Sequence, residues 1–294
     1  MSTAMGKQAI GFIGQGYIGK NYADDFESRG YPVVRYSLEP EYVGNRDRVA
    51  ECEMVFIGVP TPTTPAGFDD SIVRSAVGST APGTIVVIKS TIVPGSARAI
   101  RDAYPDRLVM YSPEFLSEAT AAYDAAHPIM NVVGITRDTA EDRAAAARVL
   151  SILPDAPYTA ICASDEAELI KYAHNGSAYT QIIFFNMMYD LAGAIGASWH
   201  TVAAALAADP LIPNRYSQPV HKTGRGAGGH CFIKDIAALR AVYEREVESP
   251  AGVAALRGLE AKNIELLTQS KKDLDILAGV YGTYATTHHD TNAR

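Results

Sequence analysis

Basic clusters, long apolar runs and paired cysteines are what this sequence has least of. Its 294 residues carry 26 Lys and Arg against 33 Asp and Glu, a formal charge of −7, with no Lys/Arg-rich or basic–aromatic stretch. Binding to a nucleic acid or an anionic membrane needs clustered cations, so neither partner has an electrostatic footprint here. No run of about 18 apolar residues occurs, which excludes a membrane-spanning helix. Cys52, Cys162 and Cys231 are odd in number and far apart. That argues against a disulfide framework or a metal-type spacing, and for reduced thiols in a cytoplasmic chain. The start, MSTAMGKQAIGFIG, has one lysine and an apolar run broken by glycines, as in a first strand rather than a signal peptide. No internal repeat is found. With 47% hydrophobic and 20% charged residues, the chain reads as soluble, globular and long enough for two domains, with a small metabolite as the expected partner.

What is present begins with residues 8–14 (QAIGFIG), an apolar run followed by Gly14-Gln15-Gly16-Tyr17-Ile18-Gly19 and a helical pattern ending at Gly30. Strand, glycine turn and helix in this order make a dinucleotide site: Gly14 turns the chain, Gly16 admits a pyrophosphate to the backbone, and Gly19 lets helix and strand pack closely. The helix start, at Tyr17 and Ile18, offers free N–H groups and a positive dipole end to phosphate. The second strand, residues 31–36, ends at Ser37, where an NAD enzyme usually carries an acidic residue for the ribose hydroxyls. Either Glu39 reaches the ribose, or Ser37 and Arg35 tolerate a 2′-phosphate. NAD is the expected cofactor and NADP stays open.

Further strand-like runs at residues 54–59, 84–89, 107–111 and 129–134 alternate with helix-compatible segments. This predicts an α/β fold whose N-terminal Rossmann-like, doubly wound parallel sheet binds ligands beyond the carboxyl ends of its strands. Those ends carry Pro60-Thr61-Pro62, Ser90-Thr91 and Ser112-Pro113-Glu114-Phe115-Leu116, so hydroxyls and a carboxylate converge where a nicotinamide should lie. Each stretch alone is an ordinary turn signal.

After a last strand near 158–162, Ser164 can N-cap a long central helix whose first turn holds Asp165 and Glu166. It runs without proline to about Ile195, roughly 45 Å at 1.5 Å per residue. Its middle, QIIFFNMMYDLAGAI, is apolar on nearly every side, which suggests burial between domains or across a homodimer through 165–195. Lys171 and Asn175 share one face near its start. They read either as surface residues or as an oxyanion donor with a partner that holds water or a substrate hydroxyl.

A helical domain follows, with short helices in 197–214 and longer ones at 235–246 and 253–269. Between them lies His221 to Asp235, HKTGRGAGGHCFIKD, in which Gly224, Gly226, Gly228 and Gly229 precede Cys231. The glycines permit positive φ and close approach of backbone to ligand. A thiol on a flexible polar loop, with the Lys234 ammonium nearby to favour thiolate, suits a nucleophile. A small buried hydrophobe is the other reading of a free cysteine. The domains are read as 1–163 (dinucleotide-binding), 164–280 (helical, carrying the cysteine loop) and 281–294 (a frayed tail). His288 and His289 in that tail are not assigned a metal, and no metal is expected elsewhere.

With the glycine turn, PTP, STIVPGS, SPEFLSEAT, AELIKYAHN and GRGAGGHCFIKD in this order, residues 8 to about 265 resemble the UDP-glucose/GDP-mannose dehydrogenase family. The cysteine loop looks more like the UDP-glucose version. The resemblance implies oxidation of a nucleotide-sugar primary alcohol to a uronic acid in two steps, using two NAD. It implies that Cys231 attacks the aldehyde formed first, giving a thiohemiacetal, then a thioester that is hydrolysed. Lys171 and Asn175 match the pair that stabilises oxyanions, Asp235 the aspartate that manages protons through water, Glu114 the acid/base glutamate, and Thr91 the threonine beside nicotinamide and water. Phe115, Leu116, Ser117 and Glu118 match a loop contacting substrate and cofactor, and Arg215 and Lys222 fall where members place basic substrate contacts. Pro60, Thr61, Ser90 and Ser37 fall on the cofactor side, Gly226 and Gly228 on the substrate side.

The sequence departs from the family pattern at Ser37 and at Met187, where members usually have glutamate. It is also read as lacking the C-terminal domain with which members grip the nucleotide diphosphate. Two other readings stand beside this one. A single-step β-hydroxyacid dehydrogenase, resembling the 6-phosphogluconate and 3-hydroxyisobutyrate group, also has a Lys-x-x-x-Asn pair but gives GGHC no role. A non-catalytic NAD-binding protein has no use for Cys231, Lys171, Glu114 and Asp235 together.

Overall fold

Short β-branched and aromatic runs closed by glycine, proline or serine give short strands, with helices in the amphipathic segments between them. The computed structural model describes residues 8–282. In chain order the elements are β1 (Ile10–Ile13), α1 (Tyr17–Ser28), β2 (Val33–Tyr36), α2 (Arg46–Ala50), β3 (Met54–Ile57), β4 (Thr63–Thr64), β5 (Gly67–Phe68), α3 (Ser71–Gly78), β6 (Ile85–Ile88), α4 (Ser96–Ala103), β7 (Leu108–Tyr111), α5 (Ala121–Ala126), β8 (Asn131–Ile135), α6 (Ala140–Ile152) and β9 (Thr159–Ala163). They are followed by α7 (Ser164–Ala194), α8 (Trp199–Ala208), β10 (Val220–His221), β11 (Gly224–Arg225), α9 (Gly229–Glu246), α10 (Pro250–Ser270) and α11 (Leu274–Tyr281). The residues fall into two units, the first running through Thr61 and over Asp69–Lys171, the second comprising Pro62–Phe68 and the chain from Tyr172. The division falls inside α7.

The first unit is built on a seven-stranded sheet in the order β2-β1-β3-β6-β7-β8-β9. Strand order reverses between β1 and β3, and the crevice beyond such a point is where α/β sheets bind ligands. The sheet is parallel except at β7 and β8, which pair antiparallel through Met110 with Ile135 and Tyr111 with Gly134. The segment between them explains the reversal: α5 packs on α1 instead of crossing the sheet, so the chain re-enters at the end where β7 left it. Residues 112–117 therefore stay at the carboxyl edge. The core includes Phe12, Phe26 and Phe56, with ring centroids 5.2 to 5.4 Å apart. Burying each ring contributes roughly 1.5–3 kcal/mol, before the pair geometry adds to it.

In the second unit Tyr179 and Ile183 of α7 pack with Ala227, Ile236 and Leu266, and a second cluster joins Ile233, Ala237, Leu267, Leu277 and Val280. The β4–β5 hairpin contacts α9 and α11. Helix α9 begins at Gly229, six residues before the sequence suggests, so Cys231 is helical rather than in a loop. Helix α11 is not legible in the sequence, because Lys271 and Asp273, at φ +52° and +53°, break the helical period. Tyr281 closes it and donates its hydroxyl to Glu260 Oε1 at 3.0 Å, so this residue is anchored rather than frayed. The rest of the expected tail, with His288 and His289, lies outside the described residues. Among the described residues no helix is long and apolar enough to cross a membrane.

Candidate active site

The glycine turn is fixed by contact. Gly14 sits at φ +91°, and a Cβ there would lie 2.3 Å from the Gly58 carbonyl oxygen; one on Gly19 would lie 1.9 Å from the Gly14 oxygen. Helix α1 thus starts closer over β1 than any side chain allows. A Cβ on Gly16 would meet nothing within 4 Å, and no side chain caps the start of α1. The first-turn amides, with exposed Tyr17 and half-buried Ile18 beside them, therefore fit a pyrophosphate. At the end of β2, Ser37 Oγ accepts from the Glu39 N–H at 3.3 Å. Arg35 is engaged elsewhere, by Asp24 at 2.7 Å, Glu27 at 2.8 Å and Gln15 Oε1 at 3.2 Å. A guanidinium neutralised by two carboxylates offers little to a 2′-phosphate.

At the next strand ends, Ser90 Oγ donates to the Val59 carbonyl at 2.7 Å and accepts from its N–H at 2.9 Å, tying the end of β6 to that of β3. Thr61 and Thr91 are buried and Pro60 is exposed. Beyond β7, Glu114 and Lys171 are each 4% exposed. Lys171 Nζ lies 2.9 Å from Glu114 Oε1 and donates to the Glu114 carbonyl at 2.7 Å. Glu114 Oε2 accepts the Leu116 N–H at 2.7 Å, and the Phe115 ring stands 5.5 Å from the ammonium. The Ser117 N–H donates to Asp124 Oδ2 at 2.8 Å, while Glu118 is exposed. An acid and a base are thus paired out of water, where their attraction must offset a large desolvation cost.

In the second unit Asn175, one turn beyond Lys171 on α7, donates to Asp235 Oδ2 at 2.8 Å. Lys234 Nζ lies 2.5 Å from the other oxygen, Asp235 Oδ1. The Lys234 ammonium is therefore bonded to Asp235, and the exposed Cys231 is the third residue of α9, in the first turn of that helix. Lys222, at φ +53°, occupies the turn between β10 and β11. The exposed Arg215 guanidinium lies 5.9 Å from the Tyr216 ring. The expected catalytic residues thus form two sets, Thr91, Glu114 and Lys171 in the first unit and Asn175, Cys231 and Asp235 in the second.

Several residues that shape these sets were missed in the sequence. Glu168 is fully buried and accepts the N–H groups of Gly95 at 2.6 Å and Ala97 at 2.8 Å, capping the start of α4 just beyond Thr91. Burial pushes its carboxyl up to about 8, against the pull of those two amides. The glycine turn before Cys231 is held by side chains from the end of α10 and the turn after it. Ser270 Oγ accepts from the Arg225 N–H at 2.9 Å, and Lys272 donates to the Gly226 carbonyl at 3.0 Å. Asn263 bonds both the N–H and the carbonyl of Ala227, at 2.7 and 3.0 Å, and Asp273 Oδ2 accepts the Gly229 N–H at 2.7 Å. A Cβ on Gly228 would fall 2.0 Å from Asp273 Oδ2, so a larger residue there would have to displace the carboxylate that holds the Gly229 N–H. Arg225 donates to Asn186 Oδ1 at 2.8 Å and pairs with Asp190 at 2.6 Å, beside the departure at Met187. A run of glycines does signal that buried backbone groups need partners. It does not signal which residues supply them.

Comparison with known proteins bears on what these two sets belong to. Residues 43–151 match the NAD binding domain of the UDP-glucose/GDP-mannose dehydrogenase family, and residues 165–260 match its central domain. A UDP-glucose 6-dehydrogenase of Rickettsia bellii is 29% identical over 237 residues, which is 77% of this chain and 51% of that protein. The chain spans about half the length of the curated relatives it matches. The solved UDP-glucose dehydrogenase of Pyrobaculum islandicum superposes with a TM-score of 0.76 at 25% identity, over 92% of this chain and 72% of that one. A 3-hydroxyisobutyrate dehydrogenase of Mycobacterium tuberculosis superposes with a TM-score of 0.70 at 18% identity, over 94% and 98%, a likeness of fold. NAD is accordingly the dinucleotide of the first unit. Matched over its NAD binding and central domains alike, with a turn that contact restricts to glycine at Gly14 and Gly19, the chain belongs to the UDP-glucose/GDP-mannose dehydrogenase family.

Proposed function

We propose that the chain oxidises the primary alcohol of a nucleotide sugar of the UDP-glucose kind to a carboxylate, through a covalent intermediate on Cys231. The observation that carries this reading is the exposed thiol in the first turn of α9, behind a glycine turn whose backbone is bonded by Asn263, Ser270, Lys272 and Asp273. Bound NAD supplies the hydride acceptor for both oxidations. Gly14, Gly16 and Gly19, with the amides of Tyr17 and Ile18, hold the dinucleotide, and Thr61, Ser90 and Thr91 line its nicotinamide side.

The residues divide the work by their chemistry. Glu114, bonded to Lys171, takes the alcohol proton in the first step. The Cys231 thiolate then adds to the aldehyde carbon, and the carbonyl oxygen becomes an alkoxide stabilised by Lys171 and Asn175. The second oxidation leaves a thioester, and Asp235 and Glu114 manage the protons as water replaces sulfur and releases the carboxylate. A thiol adduct keeps the aldehyde bound between steps and, once oxidised, leaves a thioester that water can open. Phe115, Leu116 and Ser117, with Lys222 and Arg215, contact the sugar nucleotide.

Incubation with NAD and a panel of nucleotide sugars, sugar phosphates and β-hydroxyacids tests this. Two NADH per nucleotide sugar are expected. One NADH with free aldehyde as product contradicts the thioester route, and turnover of a β-hydroxyacid alone assigns the chain to single-step chemistry.

A second copy of the chain is the proposed cover for α7. Phe184 and Leu191 are 47% and 51% exposed, and beside them a groove of about 660 Å³ is lined by Tyr179, Phe185, Leu211, Ile212 and Leu256. Apolar surface of this kind is uncommon on a monomer. Sedimentation should give a dimer that Phe184→Glu dissociates; a monodisperse monomer contradicts the proposal.

A further inference from the structure

Lys89 is 3% exposed, immediately beyond β6 and before Ser90 and Thr91. Its ammonium donates to the neutral hydroxyl of Ser112 at 3.0 Å and stands 4.4 Å from the centroid of the Tyr22 ring. Among the described residues it makes no ion pair, and the nearby carboxylate, Glu114, is paired with Lys171. A lysine this deeply buried is rare unless paired, because the charge loses its hydration without a counter-charge in contact. Burial pushes the ammonium down to about 7; Glu114 opposes this and Lys171 adds to it. A methionine would fill the same space without that cost. Side chains that cost stability concentrate where function requires them.

The position indicates the use. Ser112 follows β7 and stands two residues before Glu114, so the bond between Lys89 and Ser112 links the strand end that carries Thr91 to the one that carries Glu114. We propose that Lys89 is a positioning residue, which through Ser112 sets the placement of Glu114 against Lys171 and Thr91 at the expense of fold stability. This rests on the dehydrogenase reading above. The groups facing Lys89 are Tyr22 of α1, Ser112 and Glu114 beyond β7, and Lys171 of α7.

The test has two arms. The first reads stability without turnover. With a folded-state value near 7 against an ordinary 10.5, the unfolded chain binds a proton that the folded chain does not. Wild-type stability therefore rises with pH across that window, and the penalty is full only below it. Lys89→Met should melt higher than wild type at pH 7, and the gap should shrink toward pH 10. A gap of either sign that does not change with pH overturns the proposal, whether or not the reaction reading stands. The second arm reads catalysis. Lys89→Met should lower kcat by about a hundredfold, the size expected from a small misplacement, with KM for NAD unchanged. Lys89→Arg, which keeps a donor to Ser112, should recover part of that loss. Wild-type kcat in Lys89→Met, or no recovery with arginine, overturns it. Wild type that yields no NADH from any nucleotide sugar counts against the reaction reading instead, and the melting arm then decides Lys89.

Discussion

Cys231→Ser protein, given NAD and a nucleotide sugar, should release no more than a stoichiometric burst of NADH and then stall with a covalent ester on residue 231. Serine in the same first turn of α9 lacks the low pKa that lets a thiol ionise near neutral pH, so addition to the aldehyde slows. Any oxygen ester that forms also resists hydrolysis more than a thioester does. Removing a nucleophile that works as part of a set costs about a thousandfold or more in turnover. The exchange is close to isosteric at an exposed position, so melting temperature should stay within a degree or two of wild type. Unchanged steady-state turnover would remove the cysteine from the mechanism.

Lys171→Ala combines two losses that can be separated. An oxyanion donor is worth about 3 kcal/mol or more of transition-state stabilisation, so kcat should fall by about two to three orders of magnitude. The substitution also leaves the buried Glu114 carboxylate without the ammonium 2.9 Å away, and breaking such a pair costs about 3–5 kcal/mol of stability. Lys171→Met with Glu114→Gln removes both charges together. Its melting temperature should recover toward wild type while turnover stays low. Recovery of activity along with stability would show that Lys171 serves the fold alone.

The glycine turn between β1 and α1 was legible because its determinants are local. Gly14, Gly16 and Gly19 stand within six residues, and each owes its role to the strand and helix on either side. The cysteine motif was legible as a motif but misread as backbone: Gly228 and Gly229 suggested a loop, whereas Gly229, at φ +80°, opens an 18-residue helix. The same passage gave Lys234 to the thiol, because a sequence does not show that its ammonium reaches Asp235. Contacts distant in sequence were out of reach altogether. Asn263 and Lys272 hold the glycine turn from 36 and 46 residues away, and each reads alone as an ordinary polar residue near a helix end. The direction of β8 was hidden for a related reason: a buried strand is apolar in either orientation, and only the packing of α5 on α1 decides it. Lys89 ends a strand-like run in the sequence, and nothing in that run marks it out. Its cost and its use follow from depth, which periodicity does not report.

The central claim is that substrate carbon becomes bonded to one sulfur atom. Acid-quenching the enzyme during turnover with NAD and UDP-glucose, then mapping its peptides by mass spectrometry, reads this directly. The account predicts that the peptide carrying Cys231, and neither of those carrying Cys52 and Cys162, gains the mass of the sugar-nucleotide acyl group and loses it on treatment with hydroxylamine. Two NADH per substrate from enzyme whose Cys231 stays unmodified throughout, and whose activity survives alkylation of that thiol, would contradict it.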